Sequence, residues 1–424
     1  MSHFAVVAPP FFSHYQALQA LAGLLIERGH RVTFFHQADA ARWLYDPRIN
    51  FCTLGADSHP PGSLTQVLQR AARPGGVLGV RRVIADLSRT SAMLCAELPA
   101  ALECHGVDLL LCDQMEAAGG LVAEASGLPF VSLACALPVN REAGLPLAVM
   151  PFAFGTREFD QQLYASSTQV YDWLMRPLRE VLHRACRTLQ VPLRDGLHDC
   201  LSPWAQISQT FPGFDFPRRE PPPHWHEVGP LRSSAAAAPL GWPVESRRPL
   251  VFASLGTLQG GRLAMFRQIA RACREVDAQL LIAHCGGLDQ GQARHLIREG
   301  ATWVTDFAPQ QSVLARADAL ITHGGLNTVM DAIAHTTPML VMPIAFDQPG
   351  VAARVAHHAV GLRVGRRANA TLLASRLRAL HELPRQPLQR LAAALAAAGG
   401  VQRAADLVEA VAACRSVSRR EHLA

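Results

Sequence analysis

Ala319-Leu320-Ile321-Thr322-His323-Gly324-Gly325-Leu326-Asn327-Thr328-Val329-Met330-Asp331-Ala332-Ile333-Ala334 reads as strand, glycine turn and helix in one continuous stretch. Ala319–Thr322 is a short, nearly unbroken apolar run, which suits a parallel strand buried on both faces. From Leu326 onward the apolar residues Leu326, Val329, Met330 and Ile333 recur at helical spacing. A chain that passes from strand to helix through glycines brings backbone N–H groups to the helix start. There they can approach an anion closely, with the partial positive end of the helix behind them. His323 can add a hydrogen bond, and Asn327 and Thr328 sit in the first turn. A plain glycine turn with a capping side chain fits the same letters.

Outward from this stretch the alternation repeats. Strands are expected at Leu250–Ala253, Gln279–Ala283, Thr302–Thr305 and Met339–Met342, with helices at Arg262–Arg274, Asp289–Arg298, Gln311–Ala315 and Pro349–His357. The segment Leu372–Ala413 reads as helical and either ends this domain or packs back on the first. The N-terminal half starts as a strand–helix–strand unit: Phe4–Ala8, Tyr15–Arg28 with Gly29 as its C-cap, and Arg31–Phe35. Asp108–Cys112, Ala117–Ser126 and Pro129–Leu133 extend it, and Pro138–Leu201 is a helical, loop-rich insertion. Pro217–Pro249 is proline-rich and poor in large apolar residues, as at a domain boundary. The expected organisation is therefore a domain over 1–230, a linker over 231–248 and a second domain over 249–424. Each is an α/β, Rossmann-like, doubly wound parallel sheet, and the two face each other across a cleft where two substrates can meet.

Composition narrows the chemistry. The chain of 424 residues is 49% hydrophobic and 17% charged, enough for two large cores. It contains no lysine; all 40 basic residues counted as Lys+Arg are arginine. Schiff-base lysine chemistry and lysine-dependent phosphate loops are thereby excluded. The formal charge of +6 is spread over scattered Arg-Arg pairs, so no nucleic-acid partner is expected. The ten cysteines show no metal-ligand spacing and read as buried reduced thiols. No secretory signal and no membrane-spanning run are expected.

Several further residues can carry chemistry. Asp331 lies four residues after Asn327, about 6 Å along the helix axis, where a carboxylate can accept from ribose hydroxyls or simply face solvent. Asp347-Gln348 offers acceptors and donors to a sugar, and Asp before a Pro-containing first turn is also an ordinary helix cap. Ser254, Gly256 and Thr257 close the first strand of the second domain, next to where a phosphate can sit. Phe307 can stack on a base and Gln310 can read its edge or the ribose. In the first domain His14 precedes the first helix, whose N-terminus should keep its ring neutral and able to accept a proton. Asp113 ends another strand and can hold that ring if the two strands are neighbours.

Taken together, the run from Phe307-Ala308-Pro309-Gln310 through His323–Thr328 and Asp331 to Asp347-Gln348 resembles the nucleotide-sugar signature of UDP-dependent glycosyltransferases of the GT-B fold. The wider chain is similar to the carotenoid-glucosylating bacterial members of that family. Ala8–His14, Cys112–Glu116, Pro146–Phe152, Ala205–Gln209, Phe252–Gly260 and Ala345–Val351 carry that likeness, which extends to about Glu409. The resemblance implies inverting, metal-independent transfer of glucose from UDP-glucose, a co-substrate rather than a cofactor, with no cofactor required. The implied acceptor is zeaxanthin, an apolar carotenoid with a hydroxyl on each end ring. His14 would be the base and Asp113 its partner. His323, Gly324, Gly325, Asn327, Thr328, Ser254, Gly256 and Thr257 would line the diphosphate. Asp331 would hold the ribose, Phe307 and Gln310 the uridine, and Asp347 and Gln348 the glucose.

Three positions depart from the family pattern. Asp331 stands where Glu is usual, Phe307 where many members carry Trp, and Ala17 where a proline commonly follows the base. The resemblance further implies a cytoplasmic enzyme that can rest peripherally on the membrane. Leu64–Val83 and Leu145–Phe154 mix apolar residues with nearby arginines and fit a greasy acceptor mouth touching lipid or ordinary domain packing equally. A GT-B nucleotide-sugar epimerase is the competing enzyme reading, and a sugar-nucleotide-binding subunit without activity is the non-enzymatic one.

Overall fold

The computed structural model describes residues 1–233 and 238–421. Its first sheet is built from β1 (His3–Val7), β2 (Arg31–Gln37), β3 (Asn50–Leu54), β4 (Leu109–Asp113), β5 (Phe130–Ala134), β6 (Ala205–Ser208) and β7 (Trp225–Glu227). The strands run in the order β3-β2-β1-β4-β5-β6-β7 and pair in parallel throughout. Helices α1 (Phe12–Glu27), α2 (Ser63–Ala72), α3 (Gly76–His105), α4 (Ala117–Ala125), α5 (Glu158–Leu174) and α6 (Arg176–Leu189) connect them. The second sheet holds β8 (Leu250–Ser254), β9 (Gln279–Ala283), β10 (Trp303–Thr305), β11 (Ala319–Thr322), β12 (Met339–Val341) and β13 (Gly361–Arg363), in the order β10-β9-β8-β11-β12-β13. Its helices are α7 (Gly256–Gln259), α8 (Leu263–Glu275), α9 (Gln290–Glu299), α10 (Gln310–Leu314), α11 (Leu326–Ala334), α12 (Gln348–His357) and α13 (Ala370–His381). Two more, α14 (Gln386–Ala397) and α15 (Gly400–Glu421), follow.

Each sheet is covered on both faces by separate apolar clusters, which is why its strands are nearly continuous runs of buried residues. The strand order reverses direction between β1 and β4 in one sheet and between β8 and β11 in the other. Ligands of open parallel sheets sit outside the carboxyl ends of strands at such switch points. The residues just beyond β1, β4, β8 and β11 are therefore the ones the topology delivers to a ligand.

Seven elements escaped the sequence reading: β3, β6, β7, β13, α2, α3 and α7. Helix α3 starts among Gly75, Gly76 and Gly79 and carries Pro99 inside it, all poor helix formers. Burial of Ile84, Met93, Leu94, Leu98 and Leu102 against the sheet overrides that preference. Strand β7 lies within the proline-rich stretch read as marking the domain boundary, on the first-domain side of the expected linker, and it pairs with β6 as a half-buried edge, where nearby prolines are tolerated. Strand β3 is the opposite edge. The stretch Gln386–Cys414 is long and apolar enough to cross a membrane by length and composition, at mean hydropathy 1.2, although no such run was expected. It is interrupted at Gly399 and Gly400, whose φ values of 91° and 54° suit only glycine comfortably.

Helix α15 returns to the first domain. Ala404, Ala405 and Val408 join the cluster around α1, and Arg28 bonds Asp406 and Glu409 at 2.8 and 2.7 Å. The return crosses beside the outgoing linker, where the Gly400 N–H donates to the Val228 carbonyl at 2.6 Å. A buried ion pair between Arg354 of α12 and Asp215, 2.6 Å, also joins the second domain to the first.

Candidate active site

His14 lies in the first turn of α1, just beyond β1, and Asp113 is the last residue of the adjacent β4. Adjacency of the two strands brings residues 99 apart in sequence into contact: His14 Nδ1 stands 2.7 Å from Asp113 Oδ2. The other carboxylate oxygen accepts the Met115 N–H at 2.9 Å, and the buried Cys135 thiol, just past β5, also donates to Asp113. Because an ionised carboxylate only accepts, Nδ1 carries the proton and Nε2 is left as the free acceptor. Burial disfavours the imidazolium, but Asp113 by charge and hydrogen bond, together with Asp347, holds the ring's pKa above the ordinary histidine value. The pKa is not kept low, as the sequence had suggested, because the two carboxylates outweigh the burial that disfavours the charged ring.

Asp347 reaches this group from the second domain. It is the N-cap residue of α12, yet its side chain does not cap that helix. Its Oδ2 instead accepts the Leu137 N–H at 3.1 Å, a contact across the cleft. Burial raises the Asp347 pKa, opposed in part by that hydrogen bond and by His14. Gln348, next to it, is buried and turns its Oε1 onto the Ile344 and Ala345 N–H groups, both at 2.9 Å.

The anion cradle forms where β8 and β11 lie side by side, with Ser254 paired to Thr322. His323 sits between two glycines that cannot be enlarged without displacing its ring. A Cβ on Gly256 or on Gly325 would meet the His323 ring at 2.7 Å, and Gly256 also has φ +73°. Burial drives the His323 pKa down to about 4, so the ring is neutral at physiological pH and keeps one N–H to donate. Gly325 is the N-cap of α11, with Asn327 partly exposed and Thr328 buried in its first turn. Thr257 is exposed at the start of α7, and Phe307 is 62% exposed, its ring open to a stacking partner. Asp331 is buried, and both its oxygens are engaged: Oδ2 by Gln310 Nε2 at 2.6 Å and Oδ1 by Arg232 Nε at 3.0 Å.

Two members of this arrangement were missed in the sequence. Cys135 was read as inert core; its signal was its place at the end of a strand expected beside the one carrying Asp113. Arg232 sits in the linker, where nothing in the letters pointed to the cleft. His14, Asp113 and Cys135 also place ligating atoms within 4.8 Å of one another, a grouping that spacing along the chain could not reveal. Two ligands on one tetrahedral zinc stand about 3.3 Å apart, and the 2.7 Å between Nδ1 and Oδ2 is the spacing of a shared proton. A metal would also have to strip the Cys135 thiol, whose pKa burial raises well above the usual range.

Comparison with known proteins agrees with this geometry. The family described as UDP-glucoronosyl and UDP-glucosyl transferase matches residues 210–386. The chain is similar to a zeaxanthin glucosyltransferase of Pantoea ananas, 49% identical over 97% of this chain and 96% of that one. It is also similar to a zeaxanthin glucosyltransferase of Pseudescherichia vulneris, 47% identical over 99% of this chain and 100% of the other. Among solved structures, the glycotransferase of kitacinnamycin superposes with TM-score 0.75 at 21% identity, covering 97% of this chain and 99% of its own. The calicheamicin glycosyltransferase CalG4 superposes with TM-score 0.73 at 21% identity, covering 97% and 98%. Both share the fold, with two facing Rossmann-type domains.

Proposed function

The chain belongs to the UDP-glucoronosyl and UDP-glucosyl transferase family, and from that premise we propose that it transfers glucose from UDP-glucose to the ring hydroxyls of zeaxanthin. The products are the mono- and di-β-glucoside of a carotenoid biosynthetic route. Inversion and independence of metal are in keeping with the family. The observation that carries the mechanism is the 2.7 Å pair of His14 and Asp113, with Asp347 of the second domain close enough to act on the same ring.

The acceptor hydroxyl gives its proton to His14 Nε2 as its oxygen attacks the anomeric carbon. The bond from that carbon to the β-phosphate oxygen breaks, and its electron pair leaves with UDP from the opposite face. Asp113 stabilises the imidazolium that results and fixes its tautomer. A base raised above the ordinary histidine pKa is a stronger proton acceptor, provided the pH is high enough to free it. The diphosphate is met by backbone N–H groups at Gly324 and Gly325, by Ser254, Thr257, Asn327 and Thr328, and by the neutral His323 as donor. Asp331 takes the ribose, Phe307 stacks on uracil beside Gln310, and Asp347 with the Gln348 amide nitrogen takes glucose hydroxyls. No cofactor beyond the sugar donor is proposed.

We place the reaction at the cytoplasmic side of a membrane. Support comes from exposed Val77, Leu78 and Val80 at the start of α3 and Phe159, Val170 and Trp173 on one face of α5, with Arg81 stacked 4.7 Å over Trp173. Apolar and cationic groups together suit an anionic lipid surface. The two segments expected to form the acceptor mouth both reach the second domain. Arg262 bonds the Ala72 carbonyl at 2.7 Å and Arg363 the Pro151 carbonyl at 2.8 Å.

Incubation with UDP-glucose and zeaxanthin, followed by mass analysis, tests the proposal. One and two added hexoses are expected. Release or epimerisation of the sugar with no acceptor glucosylated would overturn it in favour of an epimerase.

A further inference from the structure

The cleft contains a cation that the proposed mechanism does not use. Arg232 follows β7 at the start of the linker, and its guanidinium lies against the first turns of α11. Nη1 and Nη2 both approach Asn327 Oδ1 at 3.3 Å, and Nη2 also donates to the Asn327 carbonyl at 3.1 Å. Nε bonds Asp331 Oδ1 at 3.0 Å, and Nη1 bonds the Leu231 carbonyl at 3.1 Å. The guanidinium is 23% exposed and its carboxylate partner 8%. A planar fork with five donors is here shared between one amide, one carboxylate and two backbone carbonyls, an arrangement an ammonium could not reproduce.

The consequence falls on Asn327. An amide presents oxygen at one end and two N–H donors at the other, and a guanidinium can face only the oxygen. With Oδ1 held by Arg232, the Nδ2 donors are the end left for an anion at the α11 N-terminus. Without that hold, the amide can turn and offer its oxygen to the same anion, which is repulsive.

We infer that Arg232 is a positioning residue for the donor: from the interdomain linker it fixes the Asn327 amide so that its N–H donors face the diphosphate of the nucleotide sugar. This rests on the placement of diphosphate at α11 proposed above. The linker thereby forms part of the donor site.

Calorimetric binding of UDP and of uridine to the full-length wild type and to Arg232→Ala, Arg232→Lys, Asn327→Ala, Arg232→Ala/Asn327→Ala and His323→Ala tests it. Arg232→Ala should weaken UDP about tenfold, the loss of hydrogen bonds from a charged group, while uridine changes less than about threefold and the thermal midpoint holds. The lysine variant should behave like the alanine one for UDP, because it keeps the charge and loses the fork. In the Asn327→Ala background, removing Arg232 should cost under about twofold, since the two act through one group. Equal losses of UDP and uridine, or an undiminished Arg232 effect without Asn327, would overturn the inference. If His323→Ala weakens UDP and Arg232→Ala does not, the role of Arg232 alone fails. If neither weakens UDP, the diphosphate placement fails with it.

Discussion

The two domains share one architecture and solve different problems with it. In the second, the groups proposed to hold the diphosphate come mostly from one continuous stretch, β11, two glycines and the first turn of α11, joined by Ser254 and Thr257 from beyond β8. Its working parts are largely backbone N–H groups, exposed by glycines and backed by a helix. In the first, the working parts are side chains from separate strand ends, His14, Asp113 and Cys135, converging at one switch point. An anion site of the first kind is written locally. A proton-transfer site of the second kind exists only after the strands have paired.

The sharpest way to separate the two is to remove the base. His14→Ala should lower kcat by roughly 10²–10⁴-fold while UDP affinity, measured by calorimetry, stays within about threefold. A comparable loss of UDP affinity would erase the division of labour. Gly256→Ala attacks the other side: its Cβ would strike the His323 ring at 2.7 Å from a residue at φ +73°. Displacing that ring by about 1 Å should cost up to on the order of 10²-fold in kcat/KM for UDP-glucose, with the His14 pH profile unchanged.

A third test probes where the domains meet. Transfer needs the unprotonated His14, so kcat/KM should fall as pH drops through a value above 6.5, the direction set by Asp113 and Asp347. Asp347→Asn removes one of the carboxylates that favour the imidazolium, so this limb should move to lower pH. A limb that stays put would mean that the two residues do not communicate across the cleft. The smallest effect is expected from Cys135→Ala, which removes one weak donor to Asp113. Two other contacts still hold that carboxylate, so kcat should change by less than about threefold. A large loss would put Cys135 at the heart of the first domain's chemistry.

The same contrast explains what could be read in advance. Strands β9 and β11 and helix α11 were expected at their observed bounds, because buried apolar runs and glycine breaks are local signals. The pairing of His14 with Asp113 could be anticipated only conditionally, since it depends on β1 and β4 being neighbours. Helix α3 was illegible because its glycines and Pro99 argue against a helix that only tertiary burial stabilises. The raised His14 pKa was illegible for a related reason: Asp347 comes from the opposite domain. Arg232 could not be seen at all, because its neighbours in space are Asn327 and Asp331, about a hundred positions away.

The chain passes between its domains twice, and the two passages touch where Gly400 bonds Val228. A body pinned at two adjacent points swings about the line through them and resists sliding or twisting. Cutting the chain before α15 would remove one pin and leave the linker, with the Arg354–Asp215 pair and the Leu137–Asp347 contact, to hold the cradle against the base.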